Sequence, residues 1–445
     1  MPCSSMARNT PDGQVSKEKR NIPGLIALSP IVVFLVVYLV SSILVGDFYK
    51  VPVSSAFLVA SVYAIAITPG RISDRLSIFS EGAGHWNIML MVWIFILAGA
   101  FAGSAKEMGS VDATVNFTLS VIPPKYLLAG LFLTACFVSL AIGTSVGTIV
   151  ALIPIANGIA QQTGINQGMM AALIVGGSFF GDNLSFISDT TIAATRAVGC
   201  AMKDKFRANF RIVLPAVLVV AGIYIFKGQS IAVEPDADPI GWLKLIPYLS
   251  VIILALFGLD VTFVLVLGIV FNAVVGYATG SLDWAGWLGS MGEGIAGMGD
   301  LIIVTLLAGG MLGIIRHNGG LDYIMRGVVR RIRGHRGAEL SIGLITGLAN
   351  LCTANNTIAI ITVGGIVNDI SDKYDIPKRR AASLMDIFSC FVQGLIPYGI
   401  QLLMASGLTG LAVTEIIPYL YYQFAVGICV IISILFSNKL KLCRK

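Results

Sequence analysis

Between Phe180 and Ile192 the chain reads Gly-Asp-Asn-Leu-Ser-Phe-Ile-Ser-Asp-Thr-Thr: two carboxylates, one amide and four hydroxyls within eleven residues. On either side the sequence is apolar, from Met169 to Phe180 and from Ile192 to Val198. Acids in a membrane-length apolar segment are costly against lipid, so they face an interior or a water-filled path. Carboxylate, amide and hydroxyl oxygens are hard ligands, suited to Na+ or another small cation. Desolvation favours the neutral form of a carboxylate, so a proton and Na+ can compete for one group, a route to exchange by mutual exclusion.

Asp182 and Asp189 are seven residues apart, two turns on one face if the helix continues. Asp182 is the leading ion-binding residue, and Asp182, Asn183 and Asp189 form the expected Na+ set. Asn183 and Ser185 read as ligands, Thr190 and Thr191 as ligands or caps. The competing reading makes both aspartates structural, capping the short helix Ile192–Val198. An Asp ahead of an apolar run suits that position, so for Asp189 the choice stays open.

The elements around this run are built for a bilayer. Of 445 residues 56% are hydrophobic and 12% charged, with mean hydropathy +0.85; soluble domains carry about 25% charge. Seven cysteines are scattered without CxxC or ligand spacing, so no disulfide framework, zinc centre or other cofactor is expected. The net charge of +6 lies in short loops and at the ends, as orientation signals do, and does not point to nucleic acid. After a disordered tail, residues 1–20, the apolar stretch from Ile22 to Val45 is too long for a signal-peptide core and reads as a first span.

Membrane-length windows fall near 22–46, 53–69, 88–105, 168–198 (broken), 209–227, 242–259, 260–278, 295–315, 380–406 (broken) and 413–436. Two further stretches, 126–160 and 338–370, are interrupted by Thr-Ser-Val-Gly-Thr (144–148) and Thr-Ala-Asn-Asn-Thr (353–357). Each half is about 14 residues, too short to cross alone, so a re-entrant hairpin with a polar tip is expected for both. With ten crossings, the basic segments 71–75, 203–211, 316–336, 373–380 and 439–445 share the cytoplasmic side with both termini. The acidic loops 227–240 and 279–293 then fall outside.

The chain also repeats. Leu97-Ala98-Gly99 returns as Leu307-Ala308-Gly309, Gly103 as Gly313, and Gly109 with Asp112 as Gly319 with Asp322, all 210 residues on. Thr144 and Thr148 return as Thr353 and Thr357, 209 on; Ile165 and Leu184 return as Ile376 and Leu395, 211 on. The expected fold is an all-α polytopic membrane protein of two repeats, 21–228 and 242–437. An external linker, 229–241, joins them, and a basic tail, 438–445, follows. Each repeat has five spans, a re-entrant hairpin and a broken helix. An odd number of crossings per repeat makes the two inverted, an architecture of secondary transporters with the site at the repeat interface.

Inversion gathers four irregular pieces: the tips 144–148 and 353–357, the run 181–191, and the break 393–399. Thr144, Ser145 and Thr148 at one tip, and Thr353, Asn355, Asn356 and Thr357 at the other, become candidates; for the asparagines, tip capping is an equal alternative. Asp386, the other acid deep in the second broken helix, reads as a ligand or proton carrier, or as an internally bonded group. Asp112 and Asp322 beside glycines read as helix caps, Asp260 as a turn residue, and the glycines of 98–103 and 308–313 as close helix packing. All three histidines fall in loops and no Walker motif occurs, so neither an intramembrane serine–histidine protease nor a primary pump is expected, and the chain is not read as an enzyme.

The run Gly181 to Thr191, preceded by Gly176-Gly177-Ser178, resembles the signature of the NhaC-type Na+/H+ antiporter family, part of an ion-transporter superfamily of inverted repeats with re-entrant hairpins. The resemblance implies cation/proton exchange and makes Asp182, Asn183, Ser185, Ser188, Asp189 and Thr190 ion-site candidates. Some members of the family look like exchangers of organic acids or amino acids. Phe186 stands where the family usually has proline, while Pro397 at the matching repeat position keeps it. The expectation is therefore an inner-membrane carrier exchanging Na+ for H+ by alternating access. The alternative is a Na+- or H+-coupled carrier of a small organic acid or amino acid, with a channel a weaker third reading. A homodimer is compatible with a scaffold-like first span.

Overall fold

The computed structural model describes residues 23–45, 51–186, 188–229, 231 and 241–437. Both expected tails, and all but 229, 231 and 241 of the expected linker, lie outside the described residues. Among the described residues the fold is helical throughout, with no strand. Among the described residues six segments are long and apolar enough to cross a bilayer: Trp86–Glu107, Pro124–Ile142, Gln167–Val198, Met202–Gly228, Val261–Thr279 and Gly299–His317. A seventh, Ile400–Thr409 with Val413–Tyr419, qualifies only if its 98° bend is counted within one span, and four shorter apolar helices accompany them. The chain is a multi-pass membrane protein.

The helices run α1 Gly24–Val45, α2 Val53–Ile67, α3 Ile72–Ala83, α4 Trp86–Glu107, α5 Ser110–Val121, α6 Leu127–Ile142, α7 Ser145–Thr163, α8 Gln167–Leu184, α9 Asp189–Val198, α10 Met202–Gly228, α11 Ile246–Leu256, α12 Val261–Thr279, α13 Trp284–Gly297, α14 Gly299–His317, α15 Gly320–Val329, α16 Gly334–Leu351, α17 Asn356–Lys373, α18 Lys378–Gln393, α19 Ile400–Thr409, α20 Val413–Ile416 and α21 Tyr421–Leu435. Their ends recur at the offset found in the sequence. α5 and α15 both start behind a left-handed glycine, Gly109 (φ 79°) and Gly319 (φ 77°), and α9 and α19 both end on one, Gly199 (φ 69°) and Gly410 (φ 76°). A side chain with a Cβ is strained there, which explains why glycine occupies both members of each pair.

Contacts recur with the halves exchanged. α4 packs on α13 as α14 packs on α3, and α7 packs on α19 as α17 packs on α9. Small residues set the first two seams. A Cβ added to Gly294 would stand 2.8 Å from the Gly99 carbonyl carbon, and one on Gly82 would stand 2.7 Å from the Gly309 oxygen. Such close approach lets backbones gain packing that lipid cannot supply.

Several expectations are corrected. The hairpin halves are longer than about 14 residues: α6, α7, α16 and α17 have 16, 19, 18 and 18, and of these α6, with the 3-10 turn before it, is long and apolar enough to cross. The window 413–436 is not one helix, since α20 is followed by a 3-10 turn, Ile417–Tyr419, before α21. The basic segment 203–211 is no loop but the start of α10, with Lys205 fully buried. Asp112 and Asp322 are first-turn acids behind glycine N-caps, favourable to the helix dipole without capping by side chain. Asp260 is itself a cap, accepting from the Thr262 N–H at 2.8 Å. Histidines 317 and 335 lie within the ends of α14 and α16.

The α4–α13 seam predicts that Gly294→Val overpacks it, at a cost of about 1–3 kcal/mol. The expected result is a lower melting midpoint in detergent, whereas Gly292→Ala, whose Cβ meets nothing within 4 Å, melts no lower than the parent chain.

Candidate cation site

Asp182 lies in the last turn of α8 and is 5% exposed. Helix geometry stops at Ser185, which is extended (φ −67°, ψ 140°). It resumes after Ser188, whose hydroxyl caps α9 by accepting the Thr191 N–H at 3.2 Å. Hydroxyls span the gap: Ser188 and Thr190 both donate to the Asp182 carbonyl, at 3.0 and 2.9 Å, in place of the N–H an unbroken helix would supply.

The carboxylate of Asp182 reaches across to another segment. Its Oδ1 accepts the Ser145 N–H at 3.1 Å and its Oδ2 accepts the Ser145 hydroxyl at 2.6 Å. Ser145 is the first residue of α7, and Thr144 before it provides no side-chain cap. Asp182 thus caps α7 from outside, where free N–H groups and the helix dipole favour negative charge. The alternative that it caps α9 fails, because Ser188 does that.

A polar thread continues from Ser145. Gln401, near the start of α19, donates to the Ser145 hydroxyl at 3.0 Å. Gln393, ending α18, lies 3.0 Å from the Gln401 side-chain oxygen and 3.2 Å from the Ala354 carbonyl, and donates to both. Ala354 holds φ 50° in the α16–α17 turn. The two turns and the two helix breaks therefore meet through hydrogen bonds. The α18–α19 break itself contains Pro397, which has no N–H to continue a helix.

A second buried cluster adjoins the first. The Asp386 carboxylate, fully buried on α18, pairs through Oδ2 with Lys205 at 2.9 Å and accepts from Asn209 at 2.7 Å. Lys205 also donates to the Asn183 carbonyl at 2.9 Å and to Thr191 Oγ1 at 2.7 Å. Asn209 reaches the same Asn183 carbonyl at 2.7 Å. The Asn183 amide donates to the Tyr422 hydroxyl at 3.0 Å. The side-chain oxygens of Asn183 and Asn209, and Oδ1 of Asp386, are buried without a hydrogen-bond partner. No group of three or more His, Cys, Asp or Glu suited to a metal occurs among the described residues; carboxylate with neutral oxygens suits a weakly held alkali ion better than a transition metal.

Not every sequence candidate joins these clusters. Asp189, the third of the expected Na+ set, is exposed at the head of α9, because the break interrupts the face it would have shared with Asp182. It lines a cleft of about 420 Å³ with Arg196 and Thr357. Asn355 caps α17, accepting the Ile358 N–H at 3.0 Å. Asn356 accepts the Thr357 N–H at 3.1 Å, while Thr148 and Thr353 bond carbonyls of their own turns, Thr144 and Asn355, both at 3.1 Å. Ser185 is buried in the break. Phe186 does not enter the polar cluster: it is 47% exposed and stacks on Phe206 with ring centroids 4.7 Å apart. Lys205, Asn209, Gln401 and Tyr422 were not legible as site residues; the only signal is Lys205 and Asn209 one turn apart at the start of an apolar helix.

Replacing Ser145 with Ala strands the Gln401 donor and half of the Asp182 carboxylate. A buried group left unpaired costs about 1–3 kcal/mol, so Ser145→Ala should melt below the parent in detergent, while Ser250→Ala, whose hydroxyl serves only its own helix, should not.

A model of the Na+/H+ antiporter family matches residues 16–228 and 240–438. Among curated proteins the chain is similar to the malate-2H+/Na+-lactate antiporter of Bacillus subtilis (strain 168), at 23% identity over 389 residues, covering 78% of this chain and 81% of that protein. It is also similar to the Na+/H+ antiporter NhaC of Alkalihalophilus pseudofirmus, at 24% over 369 residues, covering 75% and 79%. The YdaH transporter of Alcanivorax borkumensis superposes with a TM-score of 0.40 at 16% identity, covering 82% of this chain and 90% of that one, too distant to carry an argument. The match of the family model across nearly the whole length places this chain in the Na+/H+ antiporter family.

Proposed function

We propose that this chain exchanges Na+ for H+ across the cytoplasmic membrane by alternating access, with both termini on the cytoplasmic side. The observation that carries the reading is Asp182: a buried carboxylate held by the N-terminus of α7 and, among the described residues, by no fixed cation. Hydrogen bonds from Ser145 stabilise the vacant anion. A proton neutralises it, and Na+ replaces the Ser145 proton contact with a direct charge, the Ser145 hydroxyl turning a lone pair toward the ion. The hydroxyls of Ser188 and Thr190 hold the main-chain carbonyl of Asp182 at the break. One carboxylate cannot hold both cations, so binding one releases the other.

Two inverted repeats are the proposed frame. The exchanged contacts, α7 on α19 and α17 on α9, support it, since each hairpin leans on the broken helix of the other half. A shift of α7 against α8 would then uncover Asp182 toward one face, and the related shift of α17 would do so toward the other.

A second reading couples Na+ or H+ to a small organic solute. The cleft between α9 and α17, with Asp189 and Arg196 on its wall, favours it, as do the names of two relatives, the malate-2H+/Na+-lactate antiporter and an arginine/ornithine antiporter of Halobacterium salinarum.

In proteoliposomes an imposed pH gradient should collapse on addition of Na+ alone; a carrier of the second kind stays silent until its organic solute is supplied. Asp182→Asn keeps an oxygen acceptor for Ser145 and should remain folded by size-exclusion profile while losing Na+-dependent exchange; full exchange in that variant would remove Asp182 from the mechanism. Mutual exclusion further predicts that half-saturating Na+ rises by about tenfold for each unit of pH lowered through the competitive range; a pH-independent value contradicts a shared site.

A further inference from the structure

The Lys205 side chain is held as a bound cation would be. Its three N–H groups meet three oxygens of three chemical kinds: the Asn183 carbonyl at 2.9 Å, Thr191 Oγ1 at 2.7 Å and Asp386 Oδ2 at 2.9 Å. The Asn183 carbonyl lies in the last turn of α8, next to the break, and accepts from Asn209 as well as from the ammonium. Both side chains of the ion pair are at most 1% exposed, away from bulk solvent. Two more oxygens nearby, Asp386 Oδ1 and Asn209 Oδ1, are fully buried with no hydrogen-bond partner. Carbonyl, hydroxyl and carboxylate together make a cation-binding set, and distances of 2.7–2.9 Å suit charge-assisted N–H···O bonds.

We infer that the Lys205 ammonium fills a second cation cage, built from the Asn183 carbonyl, Thr191 and Asp386, which accepts a free small ammonium ion once the lysine is removed. The cage is tied to the exchange site by chain connectivity, since Asn183 follows Asp182, and Thr190 and Thr191 lie in the first turn of α9 just past the same break. With the cage filled by a tethered charge, Asp386 is balanced in every state, and Asp182 is left as the exchangeable carboxylate. That last step rests on the exchange reading; the cage itself rests on geometry alone.

The test uses the full chain in detergent, with methylammonium chloride as probe and choline chloride at equal ionic strength as control. Lys205→Ala leaves a buried carboxylate unbalanced and should melt well below the parent. Methylammonium should restore most of that shift, choline should not, and the parent chain should respond to neither. The double variant Lys205→Ala with Asp386→Asn has no charge left in the cage to balance, so it should fold and show no methylammonium response. The inference is overturned if Lys205→Ala melts like the parent, if methylammonium fails to recover it, or if the double variant responds equally. An unfolded double variant overturns it too, since charge balance would then not be what the lysine supplies. Melting requires no transport, so these outcomes stand apart from failure of the exchange reading.

Discussion

A carboxylate taken out of water must be met by donors or by a cation, and the protein meets two of its buried acids, Asp182 and Asp386, in opposite ways. Among the described residues Asp182 has hydrogen bonds from Ser145 and no ion pair, whereas Asp386 has Lys205. Donors stabilise an anion while leaving its charge open to a proton or a metal ion; a fixed ammonium closes it. The donors that hold Asp182 are available because α7 begins beside it with no cap from the Thr144 side chain, and that start follows the reversal of the chain at Gly143 and Thr144. The interruption of the eighth helix is needed for the same reason: it frees the Asp182 carbonyl and brings Ser188 and Thr190 to it.

The remainder of the fold keeps these irregular pieces dry and in register. Glycine seams draw α4 against α13 and α14 against α3, so that backbone packs on backbone at the periphery. Inside, the side chains of Gln393 and Gln401 join the turn at Ala354 to the turn at Ser145, so the two halves meet through polar groups where nonhelical backbone occurs. A thread of neutral amides and hydroxyls can exchange partners at smaller cost than a set of ion pairs, which suits a region that has to open.

The class of protein, the positions of both breaks and the burial of Asp182 were legible because each depends on local contrast: a polar run in an apolar segment has few structural explanations. The offset near 210 was legible for a similar reason, and the left-handed glycines 109 and 319 show the backbone need behind it. Lys205 was not legible, because a lysine among Lys203, Arg207 and Arg211 reads as an orientation signal until the fold turns its side chain inward. Asp189 misled in the opposite direction. Its spacing from Asp182 presumes one continuous helix, and the four residues between the two helices rotate it to the surface. Hairpin lengths were underestimated because hydropathy ends before the helix does, as at Asn157, Gln161 and Gln162 of α7.

The claim on which the account turns is that Na+ and a proton occupy Asp182 by turns. Proton release on Na+ binding tests it without membranes: purified protein in weakly buffered detergent solution is titrated with NaCl, with choline chloride as reference, while bulk pH and bound Na+ are followed. The account predicts proton release that saturates together with Na+ binding and vanishes in Asp182→Asn. Saturable Na+ binding to the parent chain with no accompanying protons would contradict it.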